Sequence, residues 1–212
     1  MRSAIFDLDG TLADTSGDLI AAANHCFARR GAEVRLDPVA DAATALRGGR
    51  AMLRLGYGRV GEVDEAVVDA DYPVLLGAYE AGIAETTYLY PGAVAALDRL
   101  AADGWALGVC TNKPERLARI LLDKLGVLDR FGALLGADTL PVRKPDPLHY
   151  VRTVEGVGGR LERSVLIGDS VTDRDTARNA GVPIVLVGCG PAGGAMEALA
   201  PDAILDHFDV LP

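Results

Sequence analysis

Five short apolar runs punctuate the chain: SAIFDLDG at 3–10, WALGVCT at 105–111, FGALLGAD at 131–138, SVLIGDS at 164–170 and VPIVLVG at 182–188. They are apolar throughout rather than alternating, which is the pattern of strands covered on both faces. Among them lie segments of helical period, AVAALDRLAADG, PERLARILLDKLG, PLHYVRTVEGVG and TDRDTARNAG, all of which stop at glycine as helix C-termini often do. Strand and helix alternate, so the pattern predicts an α/β fold with a Rossmann-like parallel sheet flanked by helices.

The stretch from 13 to 86 breaks this rhythm. LIAAANHCFARRG, DPVADAATALRGG, RAMLRLGYG and EVDEAVVDADYPVLLGAYEAG read as four or five helices without a strand. Such a block, placed after the first strand, is expected to be a helical cap subdomain over 13–86. Its linkers fall near 13–17 and 81–90, and 1–12 with 87–212 form the core. The glycine-rich GCGPAGG at 188–194 reads as a connector.

Composition narrows the classes. At 212 residues, half of them hydrophobic and 24% charged, the chain can bury a sizeable core. A formal charge of -9 disfavours nucleic acid and anionic membranes as partners. No apolar window approaches the roughly 18 to 20 residues of a membrane span, and no signal peptide opens the chain, so a cytoplasmic monomer or homodimer is expected. Cys26, Cys110 and Cys189 are widely spaced and read as small buried hydrophobes in a reducing compartment. Of 21 basic residues only Lys113, Lys124 and Lys144 are lysines, and two of these precede proline, in TNKP and RKP. A retained lysine marks a place that takes a compact point charge rather than a planar fork.

In an open parallel sheet, ligands bind outside the carboxyl ends of the strands. The first strand ends at Asp7 and Asp9, the second at Thr111 and Asn112, and the fourth at Asp169 and Ser170, with Asp173 a turn later. Lys144 follows the third. Carboxylates, a hydroxyl, an amide and an ammonium on one rim suit phosphoryl transfer. A hard divalent cation such as Mg2+ takes oxygen ligands, usually one or two carboxylates, and Asp7 and Asp169 can supply these. Lys144, Thr111 and Asn112 can hold the phosphoryl oxygens, with Asp173 and Ser170 in support. Asp7 is the candidate nucleophile, forming an aspartyl-phosphate.

A second acid must protonate the leaving oxygen and later deprotonate water, and Asp9 is placed for it. To hold a proton near pH 7 its pKa has to rise from about 3.9 by two or three units, at a cost of about 3 to 4 kcal/mol. A nearby cation pushes the other way. The expectation is therefore that Asp9 meets the metal through its backbone carbonyl, and Gly10 permits the sharp turn this needs.

These residues resemble the four motifs of the haloacid dehalogenase superfamily: DLDGT at Asp7 to Thr11, Thr111, the Lys144-Pro145 pair, and GDSVTD at Gly168 to Asp173. The resemblance implies a Rossmann-like core, an inserted helical cap, Mg2+ and an aspartyl-phosphate intermediate, with the backbone carbonyl of Asp9 on the metal. The dehalogenases of the superfamily lack the second aspartate, so Asp9 favours phosphate chemistry. Within the superfamily, the segments at 7–24, 90–115, 136–147 and 201–211 are similar to bacterial phosphoglycolate phosphatases, which implies 2-phosphoglycolate as the small-molecule substrate. Asp18, Leu19, Ala23 and Asn24 share that likeness, and His25 reads as an ordinary helix residue. LRGGR, Leu46 to Arg50, resembles the family's cap specificity loop, with Gly48 and Gly49 allowing close approach and Arg47 or Arg50 available for a carboxylate. The alternatives are a β-phosphoglucomutase-like phosphomutase, a phosphatase of another small ester such as a sugar phosphate or pyrophosphate, and a non-catalytic binding protein.

Overall fold

The computed structural model describes residues 1–190 and 196–211, so part of the GCGPAGG connector, 191–194, lies outside the described residues. The chain divides into two compact units, Met1–Asp14 with Leu89–Pro212, and Thr15–Tyr88.

The first unit is built on six parallel strands. These are β1 (Arg2–Phe6), β4 (Trp105–Cys110), β5 (Ala133–Leu135), β6 (Ser164–Gly168), β7 (Ile184–Val187) and β8 (Ala203–Leu205), in the order β5-β4-β1-β6-β7-β8. Two-residue strands, β2 (Ala13–Asp14) and β3 (Tyr88–Leu89), mark where the chain leaves and returns. Each of the five apolar runs contains a core strand. β8, three residues of the PDAILDHF segment, is too short to show a periodicity and is a sixth that the pattern does not announce.

β1 pairs with β4 through Ile5↔Gly108 and with β6 through Ile5↔Leu166, so it is the central strand. Helix α5 (Ala93–Ala102) packs on β4, α6 (Glu115–Lys124) on β5, α7 (Pro147–Gly156) on β4, β1 and β5, and α8 (Val171–Ala180) on β6 and β7. One core layer joins Ile5, Cys110, Leu166, Ile184 and Leu186 of the sheet to Tyr150, Val154 and Val157 of the α7 region and Ala177 of α8. Helix boundaries follow local chemistry. Asp146 caps α7 by accepting from Leu148 N–H, with Pro147 at the first position where its missing N–H costs nothing. Gly181 ends α8 in the left-handed conformation.

The second unit holds α1 (Ser16–Arg29), α2 (Ala42–Ala45), α3 (Gly49–Gly58) and α4 (Glu65–Ala81). Its buried centre is Phe27, Met52, Leu53, Val68, Leu75 and Tyr79. Asp71 of α4, itself buried, accepts from Arg30 Nε at 2.5 Å and from the Tyr57 hydroxyl, fastening three helices. Gly56 lies so close to the Phe27 ring that a Cβ there would enter it. The expected loop over Leu46 to Arg50 is shorter than LRGGR suggests: α3 begins at Gly49, and Gly48 with φ 96° is the residue before it. Two adjacent glycines read as a loop, but only Gly48 has the backbone that requires one. At Gly49 the absence of a Cβ instead serves packing, since one would lie 2.9 Å from Leu75.

Of the cysteines, Cys26 and Cys110 are buried and free as expected, whereas Cys189 is exposed. No helix among the described residues is long and apolar enough to cross a membrane.

Candidate active site

Strand order reverses at β1: the chain moves from β1 to β4 and β5 on one side, then crosses to β6, β7 and β8 on the other. The switch point therefore lies between β1 and β6, the place where such sheets bind ligands beyond the strand ends. Asp7 follows β1 and Asp169 follows β6, so the two carboxylates flank it. The Asp7 N–H still donates to Ile167 O at 2.8 Å, which extends the ladder one residue past the strand, and its Oδ1 accepts from Leu8 N–H at 2.7 Å. The chain then turns through Gly10, whose φ is 81°, bringing the Thr11 hydroxyl back to donate to Asp169 Oδ1 at 3.0 Å.

Lys144 joins these strands. Its Nζ lies 3.0 Å from Asp7 Oδ2 and 2.7 Å from Asp173 Oδ1, with 1% of the lysine side chain and none of the Asp173 side chain exposed. Asp173 Oδ2 accepts from the N–H groups of Asp169 and Ser170 and from the Ser170 hydroxyl, while Ser170 Oγ accepts from Asp173 N–H in a capping box. Asp173 thus supports both Lys144 and the backbone of Asp169. Gly168 makes room for it, because a Cβ there would run into the Asp173 side chain.

Asp7, Asp169 and Asp173 offer carboxylate oxygens all within 4.8 Å of one another. Burial pushes the Asp7 carboxyl up to about 6, with Lys144 opposing and Asp173 adding to the rise. Burial, then Asp173 and Asp7, hold Asp169 well above the usual carboxylate range. Burial works against the Lys144 charge, but Asp173 and Asp7 outweigh it and keep the ammonium protonated. Three acids around one ammonium leave excess negative charge in a poorly solvated place. The donors are all hard oxygens, and Asp173 is already engaged by Lys144 and the helix cap, so Asp7 and Asp169 are the pair that fits a divalent cation.

Asp9 does not join this cluster. Its carboxylate is ion-paired with Lys113, whose Nζ lies 2.9 Å from Oδ1 and 3.2 Å from Oδ2. The sequence reading keeps this carboxylate off the metal and does not anticipate the ammonium that the structure places beside it. Thr111 Oγ1 accepts from Lys113 N–H at 3.2 Å, and Asn112 Nδ2 donates to Lys144 O at 3.0 Å, tying the loop after β4 to the loop that carries the lysine.

Sequence reasoning did not place Lys113, Thr11 or His149 in this group. The TNKP lysine in an arginine-rich chain was the signal for the first. His149 carried none, because only the fold shows it bridging Cys110 Sγ at 3.3 Å and Gly136 O at 2.9 Å.

In the second unit, Arg50 is engaged by Asp69 and stacks 4.2 Å over the Tyr72 ring, while Arg47 is exposed. Asp18 accepts four hydrogen bonds from the N–H and hydroxyl groups of Thr86 and Thr87, and Asn24 exchanges two with the backbone of Leu36. These residues pin the segments entering and leaving the helices. His25 is exposed on α1.

A Rossmann-like parallel sheet with carboxylates and two buried ammonium groups, Lys144 and Lys113, at its strand ends is the arrangement of a class of hydrolase. The family model described as haloacid dehalogenase-like hydrolase matches residues 1–181, and the chain belongs to that family. It is 42% identical to a phosphoglycolate phosphatase of Agrobacterium fabrum over 98% of this chain and 89% of that protein. It is 40% identical to a phosphoglycolate phosphatase of Caulobacter vibrioides, covering 98% and 87%. Its fold matches the crystal structure of a predicted phosphoglycolate phosphatase from Haemophilus somnus with a TM-score of 0.84 at 24% identity, covering 98% and 95%.

Proposed function

We propose that the protein is a Mg2+-dependent phosphatase of small phosphomonoesters, with 2-phosphoglycolate as its preferred substrate. The convergence of Asp7, Asp169 and Lys144 at the switch point supports the chemistry. The name phosphoglycolate phosphatase, borne by relatives at 42% and 40% identity over nearly the whole chain, supports the substrate.

An Asp7 carboxylate oxygen attacks phosphorus. The phosphorus–ester oxygen bond breaks, and the leaving oxygen takes a proton from Asp9. A water then attacks the aspartyl-phosphate and passes its proton to Asp9. The bond from Asp7 to phosphorus breaks, and inorganic phosphate leaves. Lys144 has three N–H donors; Asp7 and Asp173 take two, and the third serves a phosphoryl oxygen, with Thr111 and Asn112 beside it. Asp7, Asp169 and the Asp9 backbone carbonyl would hold Mg2+, which would supply charge neutralisation for the phosphoryl group. Three free cysteines suit a reducing compartment, so the cytoplasm is the proposed location.

The test is kcat/KM across a panel of phosphate esters with Mg2+ and with EDTA. A preference for 2-phosphoglycolate of about tenfold or more is expected; a flat panel overturns the substrate. Asp7→Asn should abolish phosphate release, and a variant that keeps most of its activity overturns the nucleophile.

A further inference from the structure

We propose that Lys113 is a positioning residue that holds the Asp9 carboxyl away from the acidic cluster and aimed at the leaving oxygen. This rests on the reading of Asp9 as the acid and base.

Asp9 is only two residues from Asp7, yet its carboxylate is absent from the group of three that approach within 4.8 Å. Nothing in the length of an aspartate side chain forces this. Lys113 supplies the reason, since its ammonium reaches both Asp9 oxygens, at 2.9 and 3.2 Å, from a side chain only 4% exposed. A lysine can fix a partner only if its own root is fixed, and this one is held at three places. Its N–H donates to Thr111 Oγ1 at 3.2 Å, its carbonyl accepts from Ala137 N–H at 3.0 Å, and Gly136 lies so close that a Cβ there would sit 2.7 Å from that carbonyl oxygen. Thr111 touches the phosphoryl group in the proposed function, so one short segment sets both the phosphate-binding hydroxyl and the direction of the acid. Without the ammonium, the Asp9 carboxyl has no charged partner among the described residues outside the cluster and loses its fixed aim.

The experiment uses the full chain with Mg2+ and compares kcat/KM for an alkyl phosphate, whose leaving oxygen needs a proton, with that for 4-nitrophenyl phosphate, whose leaving group does not. kcat/KM reports only the steps through leaving-group departure, so slow hydrolysis of the aspartyl-phosphate does not mask the comparison. Lys113→Met is expected to lose about 10²-fold on the alkyl ester, the low end of general acid catalysis, and only a few-fold on the aryl ester. Equal losses on both, as plain structural damage gives, overturn the proposal, and so does no loss. Lys113→Gln keeps an uncharged amide NH2 donor group and should fall between wild type and Lys113→Met, which covers the case where methionine disturbs folding. Asp9→Asn separates the two ideas. If it shows the alkyl-selective loss and the Lys113 variants do not, only the positioning role fails. If Asp9→Asn itself loses activity equally on both esters, the acid assignment fails and the positioning role with it. A second readout needs no turnover: in EDTA, thermal melts of Asp9→Asn, Lys113→Met and the double variant should be non-additive, and additive shifts overturn the pairing.

Discussion

Lys144 and Asp173 meet at 2.7 Å with neither side chain more than 1% exposed, so the ammonium at the centre of the site is fixed by an acid that has no solvent to fall back on. Breaking a buried pair outright costs about 3 to 5 kcal/mol, but Lys144 keeps Asp7 at 3.0 Å as a second carboxylate partner. Asp173→Ala should therefore lower unfolding free energy by less than about 3 kcal/mol in urea titrations. It also removes the acceptor that holds the Asp169 and Ser170 N–H groups. Phosphate release should fall by at least about 10²-fold in protein that is still folded. A variant that unfolds at the wild-type midpoint contradicts the structural part of this account.

His149 is buried between Cys110 and a backbone carbonyl, and its bonds fix its tautomer. The Gly136 carbonyl can only accept, so Nε2 carries the proton and Nδ1 receives the thiol. Burial lowers the imidazole below its ordinary value, against a smaller opposing effect of the Gly136 carbonyl. Burial likewise pushes the Cys110 thiol up to about 12, so both groups are neutral. The unfolded chain then binds a proton at higher pH than the folded one. The stability from neutral His149 is complete above about pH 6.5 and is lost as pH falls below it, with a slope of at most about 1.36 kcal/mol per pH unit. The difference in denaturant midpoint between wild type and His149→Gln should shrink from pH 8 to pH 5, the wild type losing more on acidification. Parallel curves would show that the ring is not held neutral.

The sheet was readable because buried parallel strands carry continuous apolar runs. The site was readable because Asp7, Thr111 and Asp169 directly follow three of those strands. β8 escaped notice because three residues cannot display a period. Lys113 belongs to Asp9, 104 positions away in sequence, and no local pattern encodes such a pairing. The Leu46 to Arg50 segment misled for a local reason: a Gly48-Gly49 pair signals a turn, whereas at Gly49 the missing Cβ makes room for Leu75. Motif spacing reports chemistry attached to strand ends, and it is silent on what each side chain meets across the fold.

Asp18 should matter to the helical unit out of proportion to its position near a helix start. Burial would raise its carboxyl, but hydrogen bonds from Thr86 and Thr87 prevail and hold it below the usual aspartate range. That stabilisation is present above the unfolded value and is lost as pH falls through the lower folded one. Hydrogen bonds to a charged group contribute about 1.5 to 3 kcal/mol each and are not additive. Asp18→Ala should then destabilise the protein by about 3 kcal/mol in denaturant titrations. Gly17→Ala should produce part of the same loss, because its Cβ would sit 2.5 Å from the Thr86 hydroxyl oxygen. Wild-type stability in both variants would mean that the clasp contributes nothing.

Arg47 and Arg50 of the second unit should separate in kinetics. Arg50 is held by Asp69 and by the Tyr72 ring, in an exposed setting where an ion pair contributes up to about 1 kcal/mol and a cation–π contact about 0.5 to 1. Arg47 is exposed and makes no side-chain ion pair among the described residues. A substrate carboxylate matched by an arginine fork needs a guanidinium that is not already matched. Arg50→Ala is expected to lower stability by about 1 kcal/mol and to leave KM for 2-phosphoglycolate within about threefold. Arg47→Ala should leave the melting temperature unchanged and raise that KM by about tenfold, with little change in kcat and none in KM for an ester that lacks a carboxylate. The reverse pattern would assign the carboxylate to Arg50 and require its contacts with Asp69 and Tyr72 to open when substrate binds.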